Sequence, residues 1–110
     1  MTQSGMPEIV ERLAATINAG DTDGFLALFP SNGIVEDWGR RFEGHDAIRG
    51  WSDKELIGAK GVLTLGRIID QSGNRTSLYT DWVSSFFSGS SVFTFTLDGD
   101  LIREMVISAG

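Results

Sequence analysis

The chain contains no cysteine, which excludes disulfides, thiolate metal sites and a cysteine nucleophile. It holds a single histidine, His45, and no Asp/Glu/His cluster with ligand spacing, so no metal site is expected. Basic residues are scarce: 9 Lys and Arg stand against 15 Asp and Glu, for a formal charge of −6. A binder of phosphate backbones or anionic membranes needs a basic footprint, which this chain lacks. No apolar run approaches the roughly 20 residues of a membrane span. Met1 to Met6 have no signal-peptide core and read as a loose tail (residues 1–6) before a single domain (residues 7–110). No Gly-x-Ser-x-Gly, Gly-x-Gly-x-x-Gly or phosphate-loop pattern occurs, so neither a serine hydrolase nor a nucleotide or other cofactor is implied. What remains is 110 residues, 41% hydrophobic, enough to bury roughly 65% of the unfolded chain's surface. That describes one soluble domain, suited to a reducing cytoplasm, whose ligand is a neutral or apolar small molecule.

The hydrophobic period changes along the chain. From Pro7, the residues Ile9, Val10, Leu13, Ala14 and Ile17 recur at helical spacing, with Gly20 as the stop. Asp21 suits the N-cap of a second, short helix carrying Phe25, Leu26, Leu28 and Phe29, ended by Pro30 and Ser31-Asn32-Gly33. Ile34 to Trp38 read as a short strand, with Phe42-Glu43 able to pair back after a turn at Gly39-Arg40-Arg41. A third helix follows Gly44, with Asp46 in its first turn and Ala47, Ile48 and Trp51 on its apolar face. The capping-box spacing of Ser52 and Glu55 predicts a break near Ser52.

After Val62 the period is near 2. Strands are expected at Val62–Asp70, Arg75–Phe87, Ser91–Asp98 and Leu101–Ser108. Hairpin turns fall at Ser72-Gly73-Asn74, Ser88-Gly89-Ser90 and Gly99-Asp100. Helices first and an antiparallel sheet after define an α+β fold. Leu78, Trp82 and Phe86 share one strand face, and Tyr79, Val83 and Phe87 share the other. Two apolar faces need two coverings. Three helices cover one, and a second copy of the chain is the simplest partner for the other, predicting a homodimer through the outer sheet face.

At this point specific residues carry a resemblance. Asn18-Ala19-Gly20-Asp21-Thr22-Asp23-Gly24-Phe25-Leu26-Ala27-Leu28-Phe29 resembles the second-helix signature of the nuclear transport factor 2-like superfamily, which includes SnoaL-like proteins and ketosteroid isomerases. Gly44-His45-Asp46-Ala47-Ile48-Arg49-Gly50-Trp51 is similar to that superfamily's third helix. Phe93-Thr94-Phe95…Asp98-Gly99-Asp100-Leu101-Ile102 is similar to its last hairpin. The resemblance implies a cone-shaped α+β barrel, with three N-terminal helices packed on a curved antiparallel sheet and an apolar pocket at the wide end. It also implies dimerisation through the sheet. It does not choose among isomerase, dehydratase, cyclase and non-enzymatic binding, since fold is not function.

Asp37 is the candidate catalytic residue. It ends the first strand, at the place where the resemblance puts a general-base aspartate, and partial desolvation beside Trp38 would make it a better base. The isomerases' oxyanion hole is a tyrosine and a protonated aspartate. The resemblance sets Leu13 and Ser91 at those positions, where the first cannot donate a hydrogen bond and the second is a weaker donor, so steroid isomerisation is not expected. Trp38, Trp51, Trp82 and Phe93 are candidate pocket aromatics for a ring-bearing ligand, with packing in the core as the alternative. Asp81 either faces the pocket as a second carboxylate or faces outward against Arg67 or Arg103. Arg40-Arg41 read as a solvated turn and His45 as a surface residue at a helix start. Two functions follow. One is a cofactor-independent isomerase-, lyase- or cyclase-like enzyme with Asp37 as base. The other is a non-catalytic small-molecule-binding or dimerisation module.

Overall fold

The computed structural model describes residues 5–85 and 87–109. In chain order the elements are α1 (Glu8–Ala19), α2 (Thr22–Leu26), β1 (Ile34–Asp37), β2 (Arg40–Glu43), α3 (His45–Glu55), a 3₁₀ turn (Ile57–Ala59), β3 (Val62–Ser72), β4 (Arg75–Val83), β5 (Ser88–Asp98) and β6 (Leu101–Ala109). This is the expected α+β architecture, with three helices packed on a curved sheet. The six strands lie in the order β2-β1-β6-β5-β4-β3. Every neighbouring pair is antiparallel except β1 and β6, which run parallel with Val35 opposite Met105 and Asp37 opposite Ile107. That non-local pair inserts the first hairpin into the sheet and leaves β2 and β3 as its two open edges.

Local chemistry sets the helices. Pro7, with φ −61° and ψ 138°, is the residue before α1 rather than its first turn, and Gly20 ends the helix at φ 71°. Asp21 caps α2, its Oδ1 accepting from the Gly24 amide at 2.9 Å. α3 does not break at Ser52. That side chain is buried, and its Oγ lies 3.5 Å from the Ile57 amide, so it serves the end of the helix rather than a new start. Met6, placed in the tail by composition, is buried in the core, while residues 1–4 lie outside the described residues.

The turn expected at Ser88-Gly89-Ser90 falls earlier. Those three residues belong to β5, with Gly89 opposite Trp82. The chain reverses between Ser84 and Phe87, where the Ser84 amide donates to Phe87 O at 3.1 Å and the Phe87 amide donates to Ser84 Oγ at 3.1 Å. Side-chain capping by a serine thus outweighs the local turn preference of glycine. The parity holds through Val83, where β4 ends, but not at Phe87, which is expected on the face of Tyr79 and Val83 and instead lies past the strand and lines the cavity with Trp82. Leu63, Leu78, Phe93, Phe95, Ile102, Met105 and Ile107 face the helices and are buried. Tyr79, Asp81 and Val83 face outward. Phe86 lies outside the described residues. Bulges between Leu65 and Asp70 in β3 and at Thr96/Leu97 bend the sheet around α1 and α2.

The β3 edge is partly closed by a side chain. The Asn18 amide on α1 acts as a short strand: its Nδ2 donates to Leu63 O at 2.9 Å and its Oδ1 accepts from the Leu63 amide at 2.7 Å. Asn18→Ala removes both bonds at a solvent-accessible helix end, where water replaces part of them. A loss of about 1 kcal/mol is expected in urea unfolding, against no loss if the pair is incidental.

Candidate functional site

Asp37 and Arg40 flank a two-residue turn and stand directly opposite in the β1–β2 register. Both turn residues are left-handed, Trp38 at φ 52° and Gly39 at φ 87°, as a type I′ hairpin requires. A tryptophan in that region costs about 1–2 kcal/mol relative to glycine. The turn nevertheless holds the Trp38 indole at the mouth of a cavity, 56% exposed.

The cavity has a volume of about 590 Å³. It opens between the β1–β2 turn, the C-terminal half of α3 and the β4–β5 turn. Phe93 and Ile107 form its floor from the inner sheet face, and Leu56 and Ala59 its wall from the end of α3. Trp38, Trp51, Trp82 and Phe87 complete the aromatic lining, and Arg40, Lys54, Glu55, Ser84 and Ser91 add polar groups.

Asp37 is the buried charged group of this site, 8% exposed, with Ser91 the buried hydroxyl. Its Oδ2 accepts from the Arg40 guanidinium at 2.7 Å and from the Trp51 indole at 3.0 Å. Its Oδ1 accepts no hydrogen bond from the described residues. Arg40 is shared: Nη1 and Nη2 donate to the two oxygens of Glu55 at 2.8 and 2.7 Å. The guanidinium also lies 5.7 Å from the Phe42 ring, which stacks on Trp51 at 5.9 Å. One cation therefore joins two carboxylates, one buried and one half-exposed. Hydrogen bonding to Glu55, then to Asp37, keeps Arg40 protonated well above its usual range. The same Arg40 bond holds the Glu55 carboxyl below its ordinary value, against a smaller opposing effect of burial.

The sign of the pH dependence follows. A carboxyl whose folded pKa is lowered stabilises the fold above its unfolded pKa and loses that contribution as pH falls through the folded value. Stability from the Arg40–Glu55 pair should be intact near neutrality and fall away below about pH 4. A denaturant series over that range checks it: Glu55→Gln should remove the acid-side loss assigned to this pair, and an unchanged profile would refute the assignment.

Of the site residues expected from sequence, Asp37, Trp38, Trp51, Trp82, Ser91 and Phe93 come together around the cavity. Leu13 does not. It is wholly buried in the core on α1, because Val10, Leu13 and Ile17 form the helix's packed stripe. Asp81 is on the outer face, where its Oδ1 accepts from Ser90 Oγ at 2.7 Å rather than pairing with Arg67 or Arg103. His45 Nε2 lies 2.9 Å from Phe29 O and ties the start of α3 to the end of the α2 segment. Sequence reasoning missed Arg40, Lys54, Glu55 and Phe87. For Arg40 a signal existed: a two-residue turn at Trp38-Gly39 places residues 37 and 40 opposite each other. No group of His, Asp and Glu with metal-binding geometry occurs among the described residues, and no described helix is long and apolar enough to cross a membrane.

No protein-family model matches the sequence, and no curated protein matches it. Solved structures do. The epoxide hydrolase/cyclase-like enzyme SalBIII of pyran ring formation in salinomycin superposes with a TM-score of 0.83 at 23% identity, over 94% of this chain and 88% of its own. RV0760c from Mycobacterium tuberculosis, in complex with estradiol-17β-hemisuccinate, gives 0.82 at 19% identity, over 91% and 89%. A nuclear transport factor 2-like protein from Cytophaga hutchinsonii gives 0.78 at 14%, over 96% and 90%. At these identities the likeness is one of fold: the chain has the nuclear transport factor 2-like fold, three helices against a curved, open sheet.

Proposed function

We propose that the cavity binds a small ring-bearing hydrophobic molecule and that Asp37 is its principal polar contact, acting as base in cofactor-independent isomerase-, cyclase- or dehydratase-type chemistry. The observation that carries this reading is a buried carboxylate with one oxygen uncommitted, set in a cavity of about 590 Å³ walled by tryptophan and phenylalanine. An apolar enclosure with a few placed polar groups is the usual form of a small-molecule site. RV0760c, which takes a steroid derivative, and SalBIII, which acts in ring formation, lend support through the shared fold. With any true substrate, Asp37→Asn should abolish turnover while ligand still binds. Retained turnover would remove Asp37 as the base.

A second reading is a binding module without turnover. It is favoured by the absence of an oxyanion donor at Leu13, which is packed in the core, and by the two donors already held on Asp37 Oδ2. Saturable binding with no chemical change in the ligand would select it.

The outer sheet face supports a homodimer as part of the same proposal. Val62, Tyr79 and Val83 are exposed there, beside half-buried Val92, Thr94 and Val106, with the Arg67 guanidinium 5.4 Å from the Tyr79 ring. Light scattering at micromolar concentration should give twice the chain mass of 11.9 kDa, and Tyr79→Glu should return it to the monomer. A wild-type monomer would end that proposal. The cysteine-free composition suits a cytoplasmic setting.

A further inference from the structure

Asp37 keeps one oxygen open beside a cation that it shares. Arg40 lies between Asp37 and Glu55 and bonds to both, so one positive charge serves two negative ones. The Glu55 end is half-exposed. The Asp37 end is mostly buried, and its Oδ1, which has no donor among the described residues, stays accessible to solvent. Lys54 also lines the cavity; it is exposed and in no ion pair with either carboxylate, and its charge acts on Glu55. An oxygen such as Asp37 Oδ1 is costly to hold once a ligand seals it from water without giving it a donor.

The walls around it are aromatic. Trp38 and Phe87 stand exposed at the mouth, and Trp82 and Phe93 line the interior. Aromatic faces carry negative potential and attract cations, more strongly where water is excluded. The whole chain adds a field of the same sign through its formal charge of −6. These are independent features, and all favour the same ligand charge.

We infer that the ligand of this cavity is an organic cation: a ring-bearing molecule whose protonated amine donates to Asp37 Oδ1 and lies against the aromatic walls. The inference rests on the proposal that the cavity is a ligand site, and it replaces the neutral ligand suggested by composition. In this arrangement the ammonium supplies the donor that Oδ1 lacks. Glu55 then acts as a positioning residue. By holding Arg40 at two points, it keeps the guanidinium from turning both of its arms onto Asp37 and so leaves Oδ1 open.

The test is calorimetric titration of the intact chain, at low ionic strength and neutral pH, with three naphthalene probes of one shape: 1-naphthylmethylamine, 1-naphthalenemethanol and 1-naphthoate. The amine should bind about tenfold more tightly than the alcohol, and the carboxylate most weakly. Asp37→Asn should bring the amine's affinity down to that of the alcohol. Glu55→Gln, at a half-exposed position, should cut the amine preference several-fold by releasing Arg40 to Asp37. Alcohol binding that equals or exceeds amine binding would overturn the inference while the cavity reading stands. An amine preference that survives both substitutions would also overturn it, because it would report only the overall charge. If none of the three probes binds, the cavity reading falls as well.

Discussion

Asp37→Ala is expected to lower stability by about 2–3 kcal/mol, whereas Asp37→Asn should cost about 1 kcal/mol. The difference lies in what each leaves behind. Trp51 is 4% exposed and its indole N–H donates to Asp37 Oδ2. Alanine strands that donor in a buried place and withdraws a charged acceptor from Arg40. Asparagine keeps an acceptor of the same shape and loses only the charge. Urea unfolding of the two variants side by side measures this. Equal, small losses would mean that the bonds to Trp51 and Arg40 contribute nothing to the fold. Then the Asp37 side chain would be a free agent of the cavity rather than a part of its frame. The result bears on function, because a base that also fixes the α3 end cannot move far during a reaction.

Phe95→Ala is expected to cost about 3–5 kcal/mol, the range for a large aromatic deleted from a packed interior. Phe95 is completely buried. It stands between Thr76 on β4 and Met105 on β6, and its ring centroid is 6.1 Å from that of Phe93. A domain of this size has a total stability of about 5–15 kcal/mol, so the variant should be marginal at ambient temperature. The cavity floor should suffer with it, since Phe93 leans on Phe95. Thermal melting, with ligand titration of whatever fraction stays folded, reads both effects. A loss near 1 kcal/mol would mean that neighbouring side chains collapse into the space and that the floor is softer than the packing indicates.

These expectations were unequally legible in the sequence. The element order was readable because each helix and strand carries its own period, and the turns at Gly73 and Gly99 carry their own chemistry. The β4–β5 turn was misplaced because Ser88-Gly89-Ser90 has turn composition, while the decisive bonds come from Ser84, four residues before the strand begins. The parallel β1–β6 pair joins segments about 70 residues apart, and no local pattern announces such a contact. It is also the pair that seats Asp37 beside Ile107 and Phe93, so the floor of the site depends on it.

The site was legible by residue type more than by geometry. Tryptophans and a strand-end aspartate stand out in any reading of composition. Arg40 and Glu55 do not, because charged residues in turns and at helix ends are usually solvated. Their importance arises only when the hairpin sets Arg40 opposite Asp37 and α3 brings Glu55 alongside. Parity groups Asp81 with Tyr79 and Val83 but leaves its face open, and its partner Ser90 depended on the displaced turn. Leu13 was selected through the resemblance alone, and the helix stripe to which it belongs places it in the core.

All three tryptophans of the chain line the cavity, so their indole N–H resonances form a complete reporter set for ligand entry. The most direct test is a nitrogen–proton correlation spectrum recorded while a fused-ring probe such as 1-naphthylmethylamine is added. All three indole signals, Trp51 among them through its bond to Asp37, should shift together and saturate in wild type, and the Trp51 shift should shrink most in Asp37→Asn. Indole signals that stay in place up to millimolar probe, or that drift without saturating, would contradict the account.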